Sequence, residues 1–330
     1  MHYLLLISVV VSFVLAAGTL PYWIRKCQSI GLLWEDMNKK GHPKNVAASG
    51  GIVVVMAFIL GVFTYVALKT FLFGGTVRAL EIFSLLSMVL IIGLIGLVDD
   101  LLGWRNGGLS NRFRLLLALI ASIPLVVINA GVHTIALPFF GAINFGILYP
   151  LFLIPIGVAG AATTYNFLAG YNGLEAGQGI LILSFLSFVA YSTGSPWLAI
   201  ISLCMVASLL AFYIYNKYPA KVFPGDSLTY SIGALIAGMA ILGNFERIAI
   251  VVFIPYILEV ILKVRGKLKK HSFAKIDSKG NLKMPYPKVY GLEHLAIGVL
   301  NKFGKATEKG VVYLIYLIQI VFILVGFSML

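Results

Sequence analysis

The chain has 330 residues, 60% of them hydrophobic and only 11% charged, a balance that excludes a water-soluble domain of this length. Its net charge of +13 would suit nucleic acid in a soluble protein. Here the basic residues sit in polar gaps between apolar segments, where the positive-inside rule accounts for them and no nucleic-acid partner is expected. Two cysteines, Cys27 and Cys204, give neither a disulfide framework nor metal-ligand spacing.

At about 20 apolar residues per crossing, spans are expected near 2–23, 49–72, 79–102, 112–131, 145–165, 176–194, 196–215, 227–243, 246–266 and 309–329. The fold class is therefore all-α, a polytopic membrane bundle of about ten spans forming one domain over 1–330. Leu4 to Trp23 is read as a retained first span. Of the 25 basic residues, only Lys69, Arg78 and Arg247 fall near the side opposite the rest. That asymmetry makes the first, third, fifth, seventh and ninth loops cytoplasmic and puts both termini outside.

The first loop, Arg25 to Ser49, holds Glu35-Asp36-Met37-Asn38-Lys39 and is too polar to cross a membrane. His42 in it is read as a solvated loop histidine without a role. The third span ends in Asp99-Asp100, beside the partial negative charge of a helix carboxyl end. Acids at such a membrane boundary, neither paired nor capping, are functional candidates. The basic groups of Trp104-Arg-Asn-Gly-Gly-Leu-Ser-Asn-Arg112-Phe-Arg114 follow, suited to gripping phosphate.

The fifth loop, Asn166-Phe-Leu-Ala-Gly170-Tyr-Asn172-Gly-Leu-Glu175-Ala-Gly-Gln178-Gly179, is a poor helix interior and a good binding loop, because glycine lets backbone approach a ligand. A re-entrant turn that satisfies only its own backbone is the plainer alternative. The seventh loop ends Val222-Phe223-Pro224-Gly225-Asp226, where Asp226 either caps the next helix or faces a metal. Asp99, Asp100, Glu175 and Asp226 are a third of the twelve acids and all fall on one face, so clustering by chance is a poor explanation. In the ninth loop, 267–308, Ile276 to Tyr286 has the turn chemistry of a small β-hairpin. Next, Leu292, Leu295, Ala296, Val299, Leu300 and Phe303 predict an amphipathic helix with His294 on its surface. Lys267-Leu-Lys269-Lys270-His271 is a basic cluster for lipid headgroups or a pyrophosphate. Pro255 is expected to kink the ninth span.

Oxygen ligands of the Mg²⁺ type, a glycine-lined cleft and basic groups on one membrane face fit phosphoryl transfer between a soluble phosphorylated donor and a lipid. No P-loop is present, which disfavours ATP as donor. Asp99-Asp100, Asn166 to Gln178 and Val222-Phe-Pro-Gly-Asp226 resemble, in order, the three signatures of the polyprenyl-phosphate N-acetylhexosamine-1-phosphate transferase family. Asn172-Gly-Leu-Glu-Ala-Gly-Gln178, Asp36-Met-Asn-Lys39 and Gly280-Asn-Leu-Lys-Met-Pro-Tyr-Pro-Lys288 are most similar to its eukaryotic and archaeal UDP-GlcNAc:dolichyl-phosphate branch. The resemblance spans about Glu35 to Lys305.

The resemblance implies Asp99 and Asp100 as the catalytic pair, one of them taking the proton of the lipid phosphate, and Asn166 and Asp226 as ligands of Mg²⁺, with Mn²⁺ as a substitute. It implies a substrate cradle of Glu35, Asp36, Met37, Gly170, Asn172, Glu175 and Phe223, in which Gly170, Asn172, Phe223 and the Met37 backbone surround uracil. Arg114, where the family has lysine, would grip the lipid phosphate, and Lys269, Lys270 and His271, in place of an Arg-His-Arg run, would contact the donor. Ala47 stands where the eukaryotic branch has a glutamate. The implied partners are UDP-GlcNAc, a polyprenyl or dolichyl phosphate, and the bilayer, with a homodimer left open. Two alternatives stand beside this reading: the same reaction with another UDP-amino sugar for a wall polymer, and a non-catalytic lipid-binding or transport protein.

Overall fold

The computed structural model describes residues 3–74, 78–137 and 141–330, apart from the side chains of 105, 106, 136 and 137. Arg105, one of the basic groups noted after Asp100, therefore has its side chain outside the described set. After a 3₁₀ turn at Tyr3–Leu6, helix α1 (Ile7–Ile30) leads into a hairpin of β1 (Leu33–Glu35) and β2 (Lys44–Ala47). Helices α2 (Gly51–Phe71), α3 (Ala79–Asn106), α4 (Asn111–Ala121) and α5 (Ile123–Val127) follow. A second hairpin, β3 (Thr134–Leu137) and β4 (Gly141–Asn144), precedes a π-helical turn at Tyr149–Leu153 that runs into α6 (Ile154–Tyr165). Then come α7 (Leu174–Ser192), α8 (Pro196–Asn216), α9 (Gly225–Gly243), α10 (Glu246–Val252) and α11 (Ile254–Arg265). The chain ends with a third hairpin, β5 (Lys275–Ile276) and β6 (Leu282–Lys283), and helices α12 (Leu292–Phe303) and α13 (Glu308–Phe327).

Among the described residues, seven helices are long and apolar enough to cross a membrane: α1 with its leading turn, α2, α3, α7, α8, α9 and α13. The three other segments expected to cross fold instead as shorter helical pieces, among them an apolar stretch over Tyr149–Tyr165. Proline explains where they divide, since it lacks an N–H and its ring meets the carbonyl four residues back. Pro124 opens α5, Pro155 opens α6 and Pro255 opens α11. The kink expected at Pro255 falls at a one-residue interruption, Phe253, between α10 and α11.

That break leaves a carbonyl to satisfy. Tyr256 N–H turns to Phe253 O at 3.0 Å, so Val252 O lacks its helical donor. The Gln319 amide on α13 supplies one at 2.9 Å. The broken helix is stitched to its neighbour by a buried side chain.

Helix α9 is the most enclosed of the seven, packed against α2, α3, α6 and α7. Gly96 sets how close α3 comes: a Cβ there would lie 2.5 Å from the Asp226 and Ser227 backbone. One turn further on, Asp100 caps α9 from outside. Its Oδ1 accepts from Asp226 N–H at 2.8 Å and its Oδ2 from Ser227 N–H at 3.4 Å, taking two donors that an α-helix leaves unpaired at its start. Gly225, in the left-handed region at φ 69°, makes room for that carboxylate, because a Cβ would sit 2.2 Å from Asp100 Oδ2. Asp226 is thus not the cap of α9, and Asp100 is not free of capping as the sequence suggested.

At the periphery, Val10 and Val14 of α1 and Leu317, Val321 and Leu324 of α13 are exposed, an apolar surface of the kind a membrane covers. The hairpin expected in the last loop and the amphipathic α12 both form. His294 is the correction there: it is fully buried, with Nδ1 accepting from Tyr290 N–H at 3.3 Å, while Leu295 and Phe303 are exposed. Burial, with the nearby Lys263 charge, pushes the His294 pKa down to about 4, and burial, with the charge of Glu259, pushes Glu293 well above the ordinary carboxylate range. The imidazole is therefore neutral at pH 7. The hairpins β1–β2 and β3–β4 lie outside the sequence expectation, although Asn38, Gly41 and Pro43 between β1 and β2 are turn residues.

Two substitutions test these contacts by thermal unfolding in detergent. Gln319→Leu strands a buried carbonyl and is expected to lower stability by about 1–3 kcal/mol, and Asp100→Ala removes a cap worth about 1–2 kcal/mol. An unchanged midpoint in either variant contradicts the corresponding role.

Candidate active site

The ends of the helices that meet the first loop form a cavity of about 730 Å³, within the range of small-molecule sites. Its polar floor comes from α3, α4, α6 and α9. Helix α4 begins at a Ser110 cap, whose Oγ accepts from Phe113 N–H at 3.4 Å, and this start directs Arg114 inward. The guanidinium donates through one nitrogen, Nη1, to Asp99 Oδ2 at 2.8 Å and to Asp226 Oδ2 at 3.1 Å. Its other nitrogen is held by Asn111 Oδ1. Asp99, 7% exposed, also accepts from Leu109 N–H at 2.5 Å.

Asn166, at the end of α6, faces Asp226 from the other side. Its Nδ2 donates to Asp226 Oδ1 at 3.1 Å while its Oδ1 accepts from Thr229 Oγ1 at 3.0 Å. Two carboxylates and a carboxamide from three separate helices thus surround one point, and the cation there is Arg114. Among the described residues no three His, Cys, Asp or Glu side chains form a metal-holding group. The oxygens available, Asp226 with the Asn166 amide, suit Mg²⁺, which binds through one or two carboxylates and keeps other positions for water and phosphate. Asn166 would have to present Oδ1 in place of Nδ2.

The glycine-rich loop forms the next wall. Glu175, in the first turn of α7 and 4% exposed, takes Gly170 N–H on Oε1 at 2.8 Å. Tyr316 of α13 donates to Gly173 O at 2.5 Å and Tyr165 to Glu175 O at 2.6 Å, so the loop is rigidly held. Phe223 is fixed by its backbone, with N–H to Ala47 O at 2.8 Å and C=O from Gly50 N–H at 2.9 Å.

The cavity takes in Asp99, Asp100, Glu35, Asp36, Met37, Arg114, Asn166, Gly170, Glu175, Phe223, Asp226, Lys270 and His271 from the residues the sequence singled out. Two others lie off it. Asn172 is buried behind the loop, its Nδ2 donating to Asp36 Oδ2 at 3.2 Å and its N–H to Glu308 Oε1 at 2.8 Å. Lys269 is exposed and absent from the lining. Lys270 stands over the Tyr286 ring at 4.8 Å, a cation–π contact. Residues the sequence reading passed over also line the cavity. Thr229 and Tyr230 follow Asp226 on α9, Phe273 rests against Gly170, and Lys263 pairs with Glu259 at 3.3 Å and donates to Ser272 Oγ. A Glu and a Lys at i,i+4 near the end of the ninth span were the available signal for Lys263.

Residues 82–244 match glycosyl transferase family 4. A relative from Saccharolobus solfataricus, provisionally named a UDP-N-acetylglucosamine–dolichyl-phosphate N-acetylglucosaminephosphotransferase, is 34% identical over 325 residues, covering 98% of this chain and 95% of the relative. The Dictyostelium discoideum protein of that name is 30% identical over 266 residues, covering 69% of this chain and 64% of its own. The phospho-N-acetylmuramoyl-pentapeptide-transferase of Halalkalibacterium halodurans is 28% identical over 282 residues, 80% of this chain and 85% of that protein. Together with seven apolar helices and a polar cavity at their ends, these matches make the chain an integral membrane enzyme of glycosyl transferase family 4, among the sugar-1-phosphate transferases that act on polyprenyl phosphates.

Proposed function

We propose that the chain transfers GlcNAc-1-phosphate from UDP-GlcNAc to a polyprenyl phosphate, dolichyl phosphate in the simplest case, giving GlcNAc-diphospho-lipid and UMP. The observation that carries this reading is the meeting of Asp99, Asn166 and Asp226 around Arg114 in one cavity, together with the reaction named for the archaeal and Dictyostelium relatives. The distribution of lysine and arginine supports a bundle of about ten crossings, three of them broken, with the site toward the cytoplasm.

In this reading Arg114 is the anion grip. A phosphate entering the cavity competes for Nη1, the nitrogen that both aspartates share. As Arg114 turns to the phosphate, Asp99 loses its cationic partner and becomes the carboxylate best placed to take the acceptor phosphate's proton. Asp100 keeps its place on the start of α9 and so fixes the direction of Asp226. Asp226 and the Asn166 oxygen would hold Mg²⁺, which supplies charge neutralisation across a diphosphate when bound. The lipid phosphate oxygen attacks the phosphorus next to the sugar, the bond to the bridging oxygen of the diphosphate breaks, and UMP leaves.

A second reading keeps the chemistry and changes the donor to a muramic-type UDP-sugar, favoured by the match to the bacterial phospho-N-acetylmuramoyl-pentapeptide-transferase. A donor panel separates the two. The non-catalytic alternative gives way to the family assignment.

Purified protein given UDP-GlcNAc, dolichyl phosphate and Mg²⁺ is expected to release UMP, to stop on addition of EDTA and to resume with excess Mg²⁺. Asp226→Asn is expected to lower turnover by on the order of a hundredfold or more. Failure to release UMP from any UDP-amino sugar would overturn the proposal.

A further inference from the structure

The turn between β1 and β2 places Met37 on the cavity between two buried polar side chains, Asp36 and Asn38. Asn38, 5% exposed, lies outside the cavity lining, yet both ends of its carboxamide are engaged. Nδ2 donates to Gly170 C=O at 2.8 Å, and Oδ1 accepts from Ala274 N–H at 3.2 Å. One side chain therefore joins three segments far apart in sequence: the first loop, the glycine-rich loop and the last long loop.

Two further contacts close the ring. Asp36 receives the Asn172 amide at 3.2 Å, and Tyr171 donates to Ser272 C=O at 3.1 Å. The consequence for Gly170 is direct. Its N–H is taken by Glu175 and its C=O by Asn38, so its backbone has no simple donor left for a base. The ring instead sets the spacing between Met37, Gly170 and the Phe273 ring, all of which line the cavity. An aromatic ring such as Phe273 offers a face on which a nucleobase can stack.

We propose that Asn38 is a positioning residue for the nucleotide half of the donor, holding three loops in the register that makes the base slot without itself touching substrate. This deepens the reaction proposed above and rests on it. In the reading above the lipid phosphate belongs to Arg114 on α4, whereas the two bonds of Asn38 go to Gly170 and Ala274.

The test uses full-length protein and two variants. Asn38→Asp keeps an acceptor for Ala274 N–H but loses the donor to Gly170 and sets a carboxylate against its carbonyl; Asn38→Ala loses both bonds. The expected result is a rise of about tenfold in KM for UDP-GlcNAc in Asn38→Asp, and more in Asn38→Ala. Inhibition by UMP should weaken in parallel, with KM for dolichyl phosphate unchanged and kcat at saturating donor within about threefold of wild type. Should Asn38→Ala fail to fold, Asn38→Asp decides. An unchanged donor KM and UMP inhibition overturns the inference, as does a rise in both KM values in step with a lowered melting temperature, which marks general loosening. A wild type that releases no UMP defeats the parent reading; a normal wild type beside an indifferent Asn38→Asp defeats only this one.

Discussion

A single guanidinium nitrogen of Arg114 shared by Asp99 and Asp226 holds the site together. Carboxylates brought side by side at the end of an apolar bundle repel one another, and the low dielectric around them makes that repulsion stronger than in water. Arg114 makes their approach tolerable. It also ties α4 to α3 and α9, so the short α4, which has little apolar length to anchor it, is fixed by charge at its start as well as by packing along its body. With one guanidinium set against two carboxylates, the cation supplied from within offsets only part of their charge.

Around that centre the helices are kept in register by contacts that have little to do with the ligand. Gly96 lets α3 lie against the start of α9, Asp100 closes that start, and Gln319 repairs the carbonyl exposed where α10 gives way to α11. Each answers the same constraint. In a bilayer an unmet backbone group has no water to turn to, so every break or helix end within the bundle needs a partner from another part of the chain.

Much of the site was legible in the sequence because charge is scarce in it. Asp99, Glu175 and Asp226 stand out in apolar surroundings, and the segments that bear them do converge. What could not be read was pairing. Whether Asp100 or Asp226 caps α9 depends on a helix more than a hundred residues upstream, and Asn38 and Lys263 owe their places to Gly170, Ala274 and Ser272. Hydropathy windows likewise count apolar residues without registering that proline divides them, so a segment such as 246–266 reads as a single helix. A polar residue on an amphipathic helix reads as exposed, and His294 is the exception. Its burial beside Lys263 is a tertiary fact that no local period reports.

Helices α7 and α9 both begin at the cavity, and both carry an acid in their first turn, Glu175 and Asp226, while Asp100 occupies the leading N–H groups of α9. The positive pole that a helix start offers to anions is therefore already quenched by the protein's own carboxylates. At those two starts anion capture falls to side chains, Arg114 first among them. The start of α4, capped by the neutral Ser110 and free of acids in its first turn, is the one that keeps its positive pole toward the cavity, so an anion that enters is drawn to the α4 side and away from α7 and α9.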